Sequence, residues 1–313
     1  MRRRSTTLLV VGVCALALGT ALIRGPAGQA PNSTAAAGPA ARDRASEPNR
    51  AHTTDLEGQA LDPALFSPGA CMAFAPTNDD RRQTVFLDAG HGGIDPGGVG
   101  STENGRPVEE AHVNLAVELD TMAILRGQGY RVVVSRTQDT TVTKLTPGDV
   151  SGGVLSVPGA FNDVAARDVC ANLAHADILI GIYMDSGDPS NAGCVTGYDA
   201  DRPFSAANLR LATLLQDDML AALNAQGYGI PDEGVMLDTV LGSALTSAAL
   251  AYGHLILLGP AKKGYFETPS QMPGALIEPL FVTDPFEGSI AASVHGQQLM
   301  AAALAKATNQ YFT

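Results

Sequence analysis

The chain has 313 residues, a length that suits one large domain or two small ones with a sizeable buried core. Apolar residues make up 45% and charged residues 17%, which excludes a wholly disordered chain and a coiled coil. Lys and Arg number 20 against 32 Asp and Glu, so the net charge is −12, which argues against a nucleic-acid partner.

The N-terminal segment, residues 1–30, has the features of an export signal. Three arginines, Arg2, Arg3 and Arg4, precede an apolar run from Thr7 to Ile23. A run of this length suits either a cleaved signal peptide or an uncleaved membrane anchor. Both alternatives place the rest of the chain outside the cytoplasm, and the membrane is contacted only through this segment.

Residues 31–80 are predicted to form a flexible tether. Their first forty or so residues are rich in Ala, Pro, Ser, Asn and Gly and show little apolar periodicity. The folded domain, residues 81–313, is therefore expected to begin near Thr84.

Strands and helices alternate along this domain. A β-rich apolar run predicts a first strand, and apolar residues at near-helical spacing predict a first helix, which Gly129 ends. The predicted elements are strand Thr84–Ala89, helix Val108–Gln128, strand Arg131–Arg136, helix Asn162–Ala174, strand Asp177–Tyr183, helix Ser205–Gln226, strands His254–Leu258 and Gly274–Phe281, and helix Gly288–Tyr311. This order predicts a single α/β domain with a mixed, mostly parallel sheet flanked by helices on both faces.

Three cysteines lie outside the N-terminal segment: Cys71, Cys170 and Cys194. In an oxidising compartment we expect one disulfide and one free thiol. The sequence leaves the pairing open.

Polar side chains gather where predicted strands end, which is where sites form in open α/β sheets. The first strand ends in a glycine-rich turn that leaves His91 exposed. Glu110 lies near the start of the first helix, and Glu278 lies in the apolar run ALIEPLF. One His and two Glu at one edge indicate a zinc site with a general base.

Each of these residues also has a structural interpretation. His91 alone fits an ordinary loop histidine, and Glu110 fits a solvated acid favoured by the helix dipole. An acid such as Glu278, flanked by apolar residues, is either paired or functional.

Five ordered motifs carry a family resemblance. They are VFLDAGHGGIDPGGVG at residues 85–100, Glu110-Ala111-His112-Val113-Asn114-Leu115, Arg136-Thr137-Gln138-Asp139, Arg167 with Ala171-Asn172 and Ala176-Asp177, and Ala275-Leu276-Ile277-Glu278 with Phe281, Asp284 and Pro285. With them the chain resembles the zinc-dependent N-acetylmuramoyl-L-alanine amidases of the amidase-3 type, which cleave bacterial cell-wall peptidoglycan.

The resemblance implies a ligand set and a reaction. Zinc would be held by His91 and Glu110, and Glu278 would be the general base. The bond attacked would be the amide between the lactyl group of muramic acid and the first L-Ala of the stem peptide. Peptidoglycan or its muropeptides would be the partner.

One position departs from the family pattern. The family's third zinc ligand is a histidine at the end of the third strand, and this chain has Tyr183 there. A phenol, with a pKa of about 10, must lose its proton to bind metal well. Among the other histidines, His112, His175 and His295 offer no evident replacement, and His254 stays open as one.

The stretch from Asp139 to Arg167 is longer than the family's usual link. It is rich in glycine and fits either a lid over the site or a tolerated surface insertion.

Two functions follow from these observations. One is an exported zinc amidase altered at one ligand. The other is a catalytically weak or inactive homologue that binds cell-wall fragments or a partner and regulates wall turnover. An unrelated hydrolase is disfavoured because no Gly-x-Ser-x-Gly motif is present.

Overall fold

An eight-stranded β-sheet organises residues 58–241 and 246–313, the part of the chain that the computed structural model describes. The strands are β1 (Gln59–Ala60), β2 (Ala70–Phe74), β3 (Thr84–Ala89), β4 (Val99–Ser101), β5 (Pro107–Glu109), β6 (Arg131–Arg136), β7 (Val150–Ser151), β8 (Val154–Leu155), β9 (Ile178–Ile182), β10 (Cys194–Tyr198), β11 (Asp232–Leu237) and β12 (Gly274–Glu278). β4 pairs with β5 and β7 with β8 in small hairpins, and the others form the sheet in the order β1-β2-β6-β3-β9-β12-β10-β11.

The sheet contains both parallel and antiparallel pairs of strands. β6, β3, β9 and β12 are parallel neighbours, so their carboxyl ends share one edge. β10 is antiparallel to β12 and parallel to β11, which places the carboxyl ends of β10 and β11 at the opposite edge. β2 is antiparallel to β6. The predicted mixed, mostly parallel sheet is confirmed.

Helices cover both faces of the sheet, as predicted. They are α1 (Glu110–Gly127), α2 (Val157–Leu173), α3 (Ser205–Asn224), α4 (Ser247–Tyr252), α5 (Pro285–Ala291) and α6 (Val294–Tyr311). One core cluster joins α1, α3 and α6 to the sheet, and a second joins α2 to the other face. Among the residues that the structure describes, no helix is both long enough and apolar enough to cross a membrane.

The alternation of side chains along β3 separates the two cores. Val85 and Leu87 lie in the cluster with α1, α3 and α6, whereas Phe86 lies in the cluster that contains Cys170 of α2. All three β3 side chains are fully buried. Burial of each of these side chains contributes about 1.5–3 kcal/mol relative to exposure. β3 therefore stabilises both cores.

Two strands precede Thr84, the residue near which the folded domain was expected to begin. β2 pairs with β6 along Ala70–Phe74, and β1 pairs with β2. The last part of the predicted tether, from residue 58, is therefore structured, because its apolar side chains are buried against β6 and α2. The predicted export segment and residues 31–57 of the predicted tether lie outside the described residues.

Two predicted elements differ in the structure. His254–Leu258 is not a strand: Leu258 and Gly259 both donate backbone hydrogen bonds to Leu255 O, so the run turns. Leu255, Leu257 and Leu258 are buried in the second core and Ile256 in a small third cluster, and this run does not enter the sheet. The closing helix is divided into α5 and α6, because Ser293 caps a new helix by accepting a hydrogen bond from Gly296 N.

A disulfide joins Cys71 of β2 to Cys170 of α2, and Cys194 is a buried free thiol. This arrangement confirms the expected single disulfide and resolves its pairing. It ties β2, the second strand of the sheet, to helix α2.

Candidate active site

The turn after β3 presents His91 at the carboxyl edge of the parallel strands. His91 has a left-handed backbone, with φ of 61°, and Gly92 follows at φ of 126°. Arg167 of α2 holds this turn by donating to Ala89 O at 2.6 Å and to His91 O at 2.9 Å. The guanidinium also pairs with Asp88, at 2.6 Å, so the strand end and the turn are fixed together.

His91 lies between two carboxylates. Its Nε2 is 3.2 Å from Glu110 Oε1, and its Nδ1 is 2.8 Å from Asp95 Oδ2. Burial alone would lower the pKa of His91, but the charges of Glu110 and Asp95 outweigh burial and raise it to about 10. Without a metal ion the imidazole is therefore a cation that bridges two acids.

Glu110 opens α1 and is nearly fully buried. Its Oε2 accepts a hydrogen bond from Gly98 N at 2.7 Å, and its Oε1 accepts from Met184 N at 3.1 Å. Burial raises the pKa of this carboxyl, but His91 and these donors outweigh burial and leave it below its usual range. The carboxylate is thus held in its charged form and aimed at His91.

Gly97 makes this close approach possible. A Cβ at this position would lie 2.5 Å from Glu110 Oε2 and 2.7 Å from His91 Cδ2, and the φ of Gly97 is +67°. A side chain there would have to displace one of the two groups. This contact accounts for the glycine of the Asp-Pro-Gly segment.

Glu278 ends β12 and is 2% exposed. β12 is the parallel neighbour of β9, and Tyr183 N, just beyond β9, donates to Ile277 O at 3.0 Å. Glu278 therefore reaches the same edge of the sheet as the turn that carries His91.

One cavity of about 320 Å³ joins the predicted site residues. His91, Glu110, Tyr183 and Glu278 all line it. The structure therefore brings together every residue that the sequence placed at this site.

Two segments outside the motifs also form walls of this cavity. Leu155 of β8 belongs to the long stretch between Asp139 and Arg167, and Leu255, Ile256 and Leu257 come from the run after α4. The insertion therefore borders the cavity, through a short hairpin and the start of α2.

Tyr183 occupies the expected position, but its hydroxyl is directed elsewhere. The hydroxyl donates to Asp88 Oδ2 at 3.2 Å. Its ring lies edge-on to His91, with 5.5 Å between ring centroids, and a Cβ on Gly90 would come within 2.3 Å of it. Burial and the charge of Asp88 hold the pKa of Tyr183 well above its usual value, so the phenol keeps its proton.

The donors at this edge fit a metal ion in part. His91 Nε2 and Glu110 Oε1 are close enough for one ion to bind both, and Asp95 orients the far nitrogen of His91 in the way that outer carboxylates do in zinc sites. A protonated Tyr183 bound to Asp88 does not supply a third ligand.

His254 and His112 have carboxylate neighbours away from this set. His254, which the sequence left open as a replacement, is paired with Asp199 and Asp238, 2.9 Å and 3.2 Å from its Nδ1. His112 is exposed and lies near Glu109 and Asp139.

Two residues of the site received no role from the sequence. Asp95 binds His91 Nδ1, and Arg167 organises the turn through Asp88 and two carbonyls. The signal for Asp95 was its position four residues after His91 within a glycine-rich turn. The signal for Arg167 was its place in the fourth motif, but only the fold shows that it reaches back to β3.

Comparison with known proteins places these motifs in a family. The family model for N-acetylmuramoyl-L-alanine amidases of the amidase-3 type matches residues 85–310. The amidase AmiA of Salmonella typhimurium is 26% identical over 245 residues, which is 74% of this chain and 76% of AmiA.

Solved structures show the same fold. The CwlD amidase from Clostridioides difficile, in complex with the GerS lipoprotein, gives a TM-score of 0.54 at 19% identity over 74% of this chain and 98% of that chain. The amidase AmiC2 of Nostoc punctiforme gives 0.50 at 22% identity, over 74% and 98%.

Proposed function

Because the chain belongs to the N-acetylmuramoyl-L-alanine amidase family, we propose that it hydrolyses the amide between muramic acid and L-Ala in peptidoglycan. The observation that carries this proposal is the convergence of His91, Glu110 and Glu278 on one cavity, with His91 Nε2 only 3.2 Å from Glu110 Oε1. His91 and Glu110 are two zinc-ligand types, and Glu278 is a carboxylate of the kind that serves as general base in metal-assisted hydrolysis.

In this proposal, His91 and Glu110 are the residues that would hold a zinc ion. Zinc, when bound, lowers the pKa of water to about 7 and polarises the carbonyl to be attacked. Asp95 fixes the imidazole through Nδ1, so that Nε2 faces Glu110 and the cavity. Arg167 keeps the turn in place through its bonds to the carbonyls of Ala89 and His91.

Glu278 acts as the general base. Its side chain lines the cavity and is shielded from bulk solvent. It takes a proton from the attacking water and returns one to the amine of the leaving stem peptide.

The proposal places the reaction outside the cytoplasm. The Cys71–Cys170 disulfide supports this location, because such bonds persist in oxidising compartments. The arginine-led apolar segment at residues 7–23 would direct export, as a signal peptide or an anchor.

One observation favours a second function. Tyr183 stands where the family's third zinc ligand is expected, and its hydroxyl donates to Asp88. A metal site without that third ligand would bind zinc more weakly. A chain of this kind would bind muropeptides in the same cavity without cleaving them, and would regulate wall turnover as a binding protein.

Product analysis separates the two functions. Full-length protein supplied with zinc is incubated with purified muropeptides, and the mixture is followed by mass spectrometry. An amidase releases the intact stem peptide and leaves a free lactyl carboxylate on the sugar. Saturable binding with no released peptide would support the binding protein and contradict the enzyme.

A further inference from the structure

A second cluster of ligand-type side chains lies outside the cavity just described. Asp199, Asp238 and His254 each place one donor atom within 4.8 Å of the others. His254 Nδ1 is 2.9 Å from Asp199 Oδ2 and 3.2 Å from Asp238 Oδ2. Both aspartates are almost fully buried, at 0% and 1% exposure.

The fold builds this cluster from adjacent strand ends. Asp199 follows β10 and Asp238 follows β11, and the last residues of these parallel strands, Tyr198 and Leu237, are paired. β10 runs against β12, so the two aspartates lie at the edge of the sheet opposite His91 and Glu110. The cluster is therefore separate from the candidate active site.

Asp199 has an unsatisfied oxygen that points into the cluster. Its Oδ1 accepts a hydrogen bond from Asp201 N at 2.7 Å, whereas its buried Oδ2 makes no hydrogen bond and faces His254 Nδ1 at 2.9 Å. Burying a carboxylate oxygen without a hydrogen-bond donor costs free energy, and a bound cation can offset that cost.

One neighbouring cation is hydrogen-bonded elsewhere. Arg202 donates to the carbonyls of Leu258, Gly259 and Ser270, so its charge acts on Asp199 only through space.

The distances suit a bound ion. Ligands about 2.0–2.1 Å from one metal ion lie roughly 3 Å apart, close to the 2.9 Å and 3.2 Å measured from His254 Nδ1. The far nitrogen of His254 faces Asp201 Oδ2 at 3.8 Å, so a carboxylate lies behind the imidazole, as in many metal sites.

We propose that Asp199, Asp238 and His254 form a second metal site that takes a divalent transition-metal ion such as Zn²⁺ or Mn²⁺. Two carboxylates and one imidazole suit these ions, and Ca²⁺ prefers oxygen ligands alone. The charge of the ion balances the two buried carboxylates.

The role of this ion is to anchor one wall of the active-site cavity. Asp238 Oδ2 accepts from Leu255 N at 2.9 Å, and His254 directly precedes the wall residues Leu255, Ile256 and Leu257. An ion that joins His254 to the ends of β10 and β11 therefore fixes where the wall begins.

Metal titration of the full-length chain tests the proposal. Chelator-treated protein carrying His91→Ala, which disables the first site, is titrated with Zn²⁺ and separately with Mn²⁺ by calorimetry. We expect one equivalent of at least one of the two ions to bind. At about 100 times Kd the ion should raise the midpoint of thermal unfolding by roughly 5–10 °C.

Further substitutions assign that binding to the cluster. Asp199→Asn or His254→Asn, each added to His91→Ala, should weaken it by more than the about 10–100-fold typical for loss of an outer-shell partner. His112→Ala is the matched control, because His112 also lies near two carboxylates, at 3.4 Å and 3.5 Å, but is 58% exposed. It should leave binding unchanged.

Hydrogen exchange supplies a readout of the anchoring role. The ion should slow exchange of the Leu255 and Leu258 amides in the His91→Ala protein and not in the Asp199→Asn form. Absence of binding by either ion, or binding that survives both Asp199→Asn and His254→Asn, would overturn the proposal. The cluster would then be an imidazolium held by two carboxylates, and the hydrolysis assigned to His91 and Glu278 would be unaffected.

Discussion

The hydroxyl of Tyr183 donates a hydrogen bond to Asp88 Oδ2 at 3.2 Å. Asp88 is fully buried and pairs with Arg167 through its other oxygen, at 2.6 Å. Tyr183 is therefore a member of the network that fixes the turn after β3. We propose that this position supports the turn in this chain instead of binding metal.

This relationship predicts opposite effects for two substitutions. Tyr183→Phe removes only the hydroxyl, so zinc affinity should stay within about twofold, while stability falls by about 1 kcal/mol through loss of one hydrogen bond. Tyr183→His supplies a neutral nitrogen donor beside His91 and should tighten zinc binding at least tenfold, which is about 1.4 kcal/mol. Zinc titration of both variants measures this difference.

Either of two results would refute that assignment of Tyr183. The Phe variant would lose zinc if the phenol were a ligand in the folded chain. The His variant would bind zinc no better than the parent if position 183 did not face the metal.

The disulfide between Cys71 and Cys170 closes a loop with a sequence separation of 99. Removing it with Cys71→Ala and Cys170→Ala together should lower the free energy of unfolding by about 2–5 kcal/mol. Urea unfolding of the exported protein, with and without reductant, measures the loss. Cys194→Ala is the control, because it keeps the bond, and reductant should still destabilise that variant. Equal stability of parent and double variant without reductant would contradict the bond.

Glu118 of α1 gives the fold a pH dependence. Its Oε1 accepts from Ala89 N, Ser135 N and Ser135 Oγ, each at 3.0 Å, and its Oε2 is buried without a partner. Burial is the main cause that raises its pKa from 4.5 to about 8. At neutral pH the folded chain therefore holds a proton that the unfolded chain has released, so stability falls as the pH rises from about 4.5 to about 8.

Glu118→Gln should remove this slope, because glutamine keeps the acceptor and does not titrate. Relative to the parent, the variant should gain at least about 1 kcal/mol between pH 5 and pH 8. Urea midpoints at the two pH values measure the gain. The exposed substitution Glu103→Gln should follow the parent, and an identical slope for Glu118→Gln would show that Glu118 is ionised in the folded state.

The central part of the fold was predictable from sequence because local patterns determine it. The strands Thr84–Ala89 and Arg131–Arg136 have the bounds that their apolar runs predict. β2 was missed because its pairing with β6 and its bond to Cys170, 99 residues from Cys71, form only through the tertiary fold. His254–Leu258 was misread as a strand because a buried turn and a buried strand give the same apolar run.

The site residues, like the strands, were predictable only where local sequence determines them. His91, Glu110 and Glu278 stand in motifs at strand and helix ends, so their convergence followed from the order of elements. The partners of Tyr183 and His254 did not follow, because Asp88, Asp199 and Asp238 reach them only through tertiary packing.

The most direct measurement is the rate of stem-peptide release from muropeptides by the full-length parent and by Glu278→Gln, at matched zinc content. Loss of the base should slow release by at least about 100-fold, with the circular dichroism spectrum and zinc affinity unchanged. The exposed control Glu103→Gln should retain the parent rate. Release by Glu278→Gln at the parent rate would contradict the role of Glu278, and no release by the zinc-loaded parent would contradict the proposed amidase itself.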